Sequence, residues 1–199
     1  MTRYTLPHRL LHWMMALAII AAIPIGIVMG DVKPGPFQNA LYDFHKSLGV
    51  LVLILALLRV ALKRTYGVPD PAPELADWQL RTATSVHHAL YALMIVVPLV
   101  GFVANSFYGA AIPFFWLFTI PTFTPHNEEI AGMIFSLHTA LAILFGILIV
   151  IHIAAALHHR FIRKDGVFNR MSVPSFLAAR QSQTIAMADG CMRREATRR

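Results

Sequence analysis

An all-α membrane protein, built as an up-and-down bundle of four transmembrane helices, is predicted by three features of this 199-residue sequence. Hydrophobic residues make up 57% and charged residues only 14%, where a soluble domain carries roughly 25% charged. Four apolar runs reach the length of about 20 residues that a helix needs to cross the hydrocarbon core. Lysine and arginine also fall on alternate connections, as orientation in a bilayer requires.

The runs lie at about 10–30, 44–62, 86–106 and 131–157. The first has a basic start in Arg3 and Arg9 but is too long for a cleaved leader and lacks a small-x-small site, so it reads as a retained helix. The second is uninterrupted. Pro98 lies inside the third, which lipid-embedded helices tolerate when neighbours satisfy the freed backbone groups. Between the third and fourth runs, residues 111–122 are apolar but too short to span. Bracketed by Pro113 and Pro121, this stretch reads as an aromatic loop at the membrane surface, with a re-entrant hairpin as the alternative.

Arg3, Arg9, Lys63, Arg64, Arg81, Arg160, Arg163 and Lys164 share one side; the other holds only Lys33 and Lys46 against Asp31, Asp43, Glu128 and Glu129. Both termini are therefore expected in the cytoplasm, as an even number of crossings also demands. Residues 1–165 form the transmembrane domain in this reading. Residues 166–199 form a basic cytoplasmic tail, either disordered or lying against anionic lipid headgroups. No nucleic-acid-binding motif accompanies the net charge of +7.

The chemistry is expected from histidine. The single cysteine, Cys191, excludes an intrachain disulfide framework, a four-cysteine zinc site and an iron–sulfur cluster. Ten histidines are many for such a composition, and an ionisable residue at membrane depth is a functional candidate by default. His138 and His152 are 14 positions apart on the fourth run. That spacing is nearly four helical turns, which puts them on one face about 21 Å apart. His45 matches the depth of His138, and His12 that of His152. The result is two facing imidazole pairs, one per leaflet. Two imidazoles on opposite faces of a porphyrin give a low-spin iron suited to electron transfer. With no C-x-x-C-H for covalent attachment, such a haem is b-type.

Other residues follow the same period. Gly26, 14 positions after His12, and Gly49, one turn after His45, leave room for a macrocycle or mediate plain helix packing. Arg59, 14 positions after His45, meets a propionate of the inner haem or snorkels to the headgroups. Lys46 is placed to serve the outer propionates. His159, seven after His152, lies on nearly the same face about 10 Å further on; it donates to a quinone carbonyl or anchors the helix end. His87 and His88 open the third helix, His88 being the one placed to touch the bundle. His8 and His12 are four apart, but no H-E-x-x-H accompanies them.

Four stretches carry a resemblance: LHWMMAL around His12, FHKSLGVLVLILALLRVALK from His45 through Arg59, HHALYALMIVVPLVGF on the third helix, and LHTALAILFGILIVIHIAAALHH on the fourth. Over residues 4–170 the chain resembles the bacterial cytochrome b561 family. That resemblance implies an inner-membrane four-helix bundle with two haems b, the cytoplasmic-side haem on His12 and His152 and the periplasmic-side haem on His45 and His138. His159 matches the position associated with the quinone site. The implied activity is electron transfer between a periplasmic donor, superoxide in one described case, and the ubiquinone pool. The alternative is a non-catalytic electron-transfer subunit anchoring a periplasmic dehydrogenase or hydrogenase-like complex. A metal transporter or sensor using the same histidines is a third class, separated from both by the absence of b-type absorbance.

Overall fold

A computed structural model describes residues 3–67, 69 and 76–172. The chain is a four-helix bundle: α1 (Leu6–Val28), α2 (Pro36–Tyr66), α3 (Asp77–Phe107) and α4 (Glu128–His158), with a hairpin of β1 (Ile112–Phe114) and β2 (Phe118–Ile120) between α3 and α4. All four helices are long and apolar enough to cross a membrane. A π-helical turn, His159–Arg163, continues α4, and a short 3-10 turn, Phe168–Arg170, follows.

Two helices run well past the apolar stretches that predict them. α2 begins eight residues before position 44, and α3 nine residues before position 86. A 31-residue helix is about 46 Å long and overshoots a hydrocarbon core of about 30 Å. The polar turns at its ends are therefore helical but not apolar, and only the embedded part registers as hydrophobic. The true ends are set by local chemistry. Pro7 and Pro36 occupy first-turn positions, where a missing N–H costs nothing. The Asn127 side chain caps α4 by accepting from Ile130 N–H at 3.0 Å, and Glu128 and Glu129 complement the helix dipole. Gly67, at φ +67°, ends α2.

The interior is a seam of Met15, Ala18, Ile19, Leu48, Val52, Leu55, Ala56, Leu90, Leu93, Met94, Val97 and Phe145. Leu17, Ile27, Ile143 and Val150 point outward, as expected where lipid rather than water covers the surface. Close packing joins α1 to α2, α2 to α3 and α3 to α4. Among the described residues, α4 stands back from α1 and α2.

One end of the bundle holds both described chain ends. Tyr4 N–H donates to the Arg170 carbonyl at 3.2 Å, Arg9 to the Ser172 carbonyl at 2.9 Å and Trp13 to the Met171 carbonyl at 2.9 Å. The hairpin closes the opposite end. Its register pairs Ile112 with Ile120 and Phe114 with Phe118. Phe115 and Trp116 both adopt left-handed backbone, at φ +45° and +60°, as a tight hairpin turn requires. Ser47 on α2 pins it: the buried hydroxyl lies 2.7 Å from the Pro113 carbonyl and accepts from Phe115 N–H at 2.9 Å. The segment at 111–122 is thus an ordered aromatic hairpin docked on α2. Of the expected tail, residues 173–199 lie outside the described residues.

Candidate functional site

Both predicted imidazole pairs form. His12 on α1 faces His152 on α4 with ring centres 6.3 Å apart, and His45 on α2 faces His138 on α4, also at 6.3 Å. The first pair lies at the end holding the chain termini, the second at the hairpin end. The pairs bridge α4 to α1 and α2, the two helices from which α4 stands back. All four histidines are half-buried. A metal–imidazole bond of about 2.0–2.1 Å on each side of one ion sets two ring centres about 6 Å apart. Both pairs match that spacing, and no direct imidazole–imidazole hydrogen bond explains it.

The hairpin-end pair has its reactive nitrogens already chosen. His45 Nδ1 donates to the Ala22 carbonyl and His138 Nδ1 to the Val97 carbonyl, each at 3.0 Å. A ring that gives its Nδ1 proton to the backbone presents a bare Nε2 lone pair, the form that binds a metal.

Two glycines make this reach feasible. Helical Cβ atoms lean toward the N-terminus, so a side chain covers the turn before it. Gly26 is four residues after Ala22, and Gly101 four after Val97. A Cβ on Gly26 would stand 2.8 Å from His45 Cε1, and one on Gly101 2.9 Å from His138 Cε1 and Nδ1. Each ring therefore lies in the notch of a missing side chain on the neighbouring helix. The same device occurs twice, α1 holding the α2 histidine and α3 holding the α4 histidine. Gly26 touches the imidazole itself rather than only leaving space beside it. Gly101 has no counterpart in the sequence reading; its four-residue offset from a carbonyl has meaning only once the partner histidine is placed. At Gly49 an added Cβ would meet nothing within 4 Å, so tight helix packing does not account for that glycine.

The terminus-end pair has a third histidine. The His87 ring centre is 5.4 Å from that of His152, edge to face. His87, not His88, meets a ring of the pair, although both side chains are exposed. The helix begins nine residues earlier than expected, and the facing of its side chains follows from packing that periodicity alone does not fix. Arg59 is buried beside this group. Its Nε donates to the Tyr91 hydroxyl at 2.9 Å, while Nη1 is buried without a hydrogen-bond partner among the described residues. A buried guanidinium with a spare donor is the arrangement that receives an anionic oxygen. His8, one turn before His12, is also buried, with Nδ1 2.7 Å from the Thr5 hydroxyl.

Lys46 is engaged at the hairpin end, 2.8 Å from Asp43 and donating to the Ala111 carbonyl at 3.4 Å. His159 lies beyond the terminus-end pair, at the start of the π-helical turn. Its Nδ1 is 2.6 Å from Asp165 Oδ2. Together with Arg160, Phe161, Lys164 and Phe168 it lines a surface cleft of about 320 Å³.

The family model described as prokaryotic cytochrome b561 matches residues 3–172. Cytochrome b561 homolog 1 of Escherichia coli K12 is 29% identical over 172 residues, covering 86% of this chain and 97% of the relative. Cytochrome b561 homolog 2 of the same organism is 28% identical over 171 residues, covering 85% and 90%. A protein named probable superoxide oxidase CybB, from Yersinia pestis, is 27% identical over 161 residues, covering 81% and 90%.

Proposed function

The chain belongs to the prokaryotic cytochrome b561 family, and from that premise we propose that it is a two-haem cytochrome carrying electrons across the membrane between a periplasmic donor and the ubiquinone pool. Family and helices together make it a multi-pass, b-type haem protein of the bacterial inner membrane.

The observation that carries the proposal is the repeated 6.3 Å spacing of two imidazole pairs, one at each end of the bundle. His12 and His152 hold one haem; His45 and His138 hold the other. Bis-imidazole iron has no open coordination position and changes its charge by one electron with little rearrangement, the chemistry of a relay rather than of oxygen binding. The protein orients the ligands through Ala22 and Val97, accepts a propionate at Arg59 and excludes water through the apolar seam. Lysine and arginine counts support a cytoplasmic position for the termini, and with them for His12, His152 and His159.

Superoxide is the donor we favour, a reading supported by the name of the Yersinia relative. It delivers one electron and requires no proton. The hairpin end carries Lys33 and Lys46 against Asp31, Asp43, Glu128 and Glu129, so electrostatic attraction contributes little to capture. At the other end a quinone carbonyl lies at His159, in the cleft between Phe161 and Phe168.

The test is stopped-flow mixing of the purified oxidised protein with superoxide, with and without ubiquinone. Rapid reduction of b-type absorbance, followed by reoxidation only when ubiquinone is present, is the expected course. Absorbance that superoxide leaves oxidised, while a chemical reductant bleaches it normally, removes superoxide as donor and leaves the relay intact.

A further inference from the structure

The segment after α4 contains a buried carboxylate that the electron relay does not use. Asp165 has a side chain only 4% exposed. Its Oδ2 receives His159 Nδ1 at 2.6 Å and Arg163 Nε at 3.2 Å, and its Oδ1 receives Val167 N–H at 3.2 Å. Arg163 is held in turn, Nη1 donating to the Gln79 side chain of α3 at 3.0 Å. The backbone is bent to make this possible. The helix widens to a π turn at His159, and Lys164 and Gly166 take left-handed conformations, at φ +51° and +76°. Widened turns of this kind recur at functional sites.

We propose that Asp165 is a positioning residue for proton transfer to quinone: it fixes the His159 ring with a proton at Nδ1 and so makes Nε2 the nitrogen that exchanges protons with a ligand in the cleft that His159 lines. The inference rests on the reading of His159 as the quinone donor. Reducing one quinone to quinol consumes two electrons, supplied by the protein's b-type haem, and two protons. Nε2 of the protonated ring gives one proton to a carbonyl oxygen, leaving a neutral ring whose remaining proton stays at Nδ1. Water supplies the second proton and reprotonates Nε2. Asp165 keeps its charge throughout and accepts from Nδ1 in both states of the ring. Arg163 and the Val167 amide hold the carboxylate against rotation.

Burial alone would raise the Asp165 pKa. Hydrogen bonds from His159 and Val167, with the charges of His159 and Arg163, outweigh burial and hold it below the ordinary value. The carboxylate is therefore ionised at neutral pH, as the positioning role requires.

The experiment uses the haem-loaded full chain, chemically reduced and then mixed with short-chain ubiquinone, in the parent and in Asp165→Asn, Asp165→Glu and His159→Ala. Asp165→Asn is expected to lower the maximal reoxidation rate about tenfold or more, within the range seen for general acid groups, with little change in the ubiquinone concentration giving half-maximal rate. Asp165→Glu should recover part of that loss. Nitrogen NMR of the parent, with His159 identified by its missing signals in His159→Ala, is expected to place the proton of the neutral ring at Nδ1. A parental rate in Asp165→Asn alongside a slow His159→Ala overturns the role of Asp165 and spares the quinone site. A parental rate in His159→Ala overturns the quinone site itself. A neutral ring protonated at Nε2 overturns the role of Asp165 even if Asp165→Asn does not fold.

Discussion

The imidazole of His45 occupies the place that a side chain at Gly26 would take, with its Cε1 2.8 Å from where a Cβ would stand. In the proposed function, that contact ties haem ligation to a backbone position on another helix. It also makes Gly26 and Gly101 testable as a pair. Gly26→Ala should displace His45, and Gly101→Ala should displace His138, because overpacking a tight contact costs about 1–3 kcal/mol and here it is the ligand that must yield. Each variant is expected to lose the hairpin-end haem wholly or in part and to keep the terminus-end haem. Haem content per chain, with the redox titration resolved into two steps, reads the outcome.

The ligand assignments are separable. His138→Ala should abolish the hairpin-end redox step alone, and His152→Ala the terminus-end step alone, since the two pairs share a helix but no residue. Each variant is expected to retain one haem per chain. Retention of two haems in either would break the assignment.

Arg59 has a sign as well as a position. A fixed positive charge near a haem favours its reduced form. Arg59→Leu should therefore lower the midpoint potential of the terminus-end haem, by about 40 mV if the charge contributes roughly 1 kcal/mol across a partly screened path. The hairpin-end haem, at the far end of the helices, should hold its potential. Optical redox titration of variant and parent measures both at once.

Asp165 makes the segment after α4 sensitive to acid. Its folded pKa lies below the ordinary carboxylate value of 3.8, so the unfolded segment binds protons more readily as the pH falls. The stabilisation is fully present above about that value and is lost as pH drops through the lower, folded pKa. Amide exchange across residues 159–170 should accelerate below the ordinary carboxylate range while α2 and α3 remain protected. In Asp165→Asn the exchange should be faster at neutral pH and nearly independent of acid.

Much of this arrangement is legible in the residues because a membrane simplifies the physics. Lipid forces each crossing to be a continuous apolar helix, so the number of spans follows from run lengths. Depth follows from position along a run, which is enough to match His12 with His152 and His45 with His138. What depth does not give is rotation about the helix axis. His87 rather than His88 meets His152, and a Cβ at Gly101 rather than at Gly49 would strike a paired imidazole, because these depend on how each helix is turned against its neighbour. The strand pairing and turn of the hairpin at 112–120, weighed from the sequence only as a re-entrant alternative, are equally out of reach. Its turn needs left-handed Phe115 and Trp116, residues that give no local signal for that conformation, and it is held by Ser47 more than 60 positions away. Asp165 is visible only as one polar residue among several until the π turn brings it to His159.

The count of haems per polypeptide tests the two-pair arrangement most directly. Pyridine haemochrome analysis of the purified full chain, expressed with ample haem, should give two haems b per chain with two redox steps. One haem per chain in fully loaded protein, or none, would contradict it.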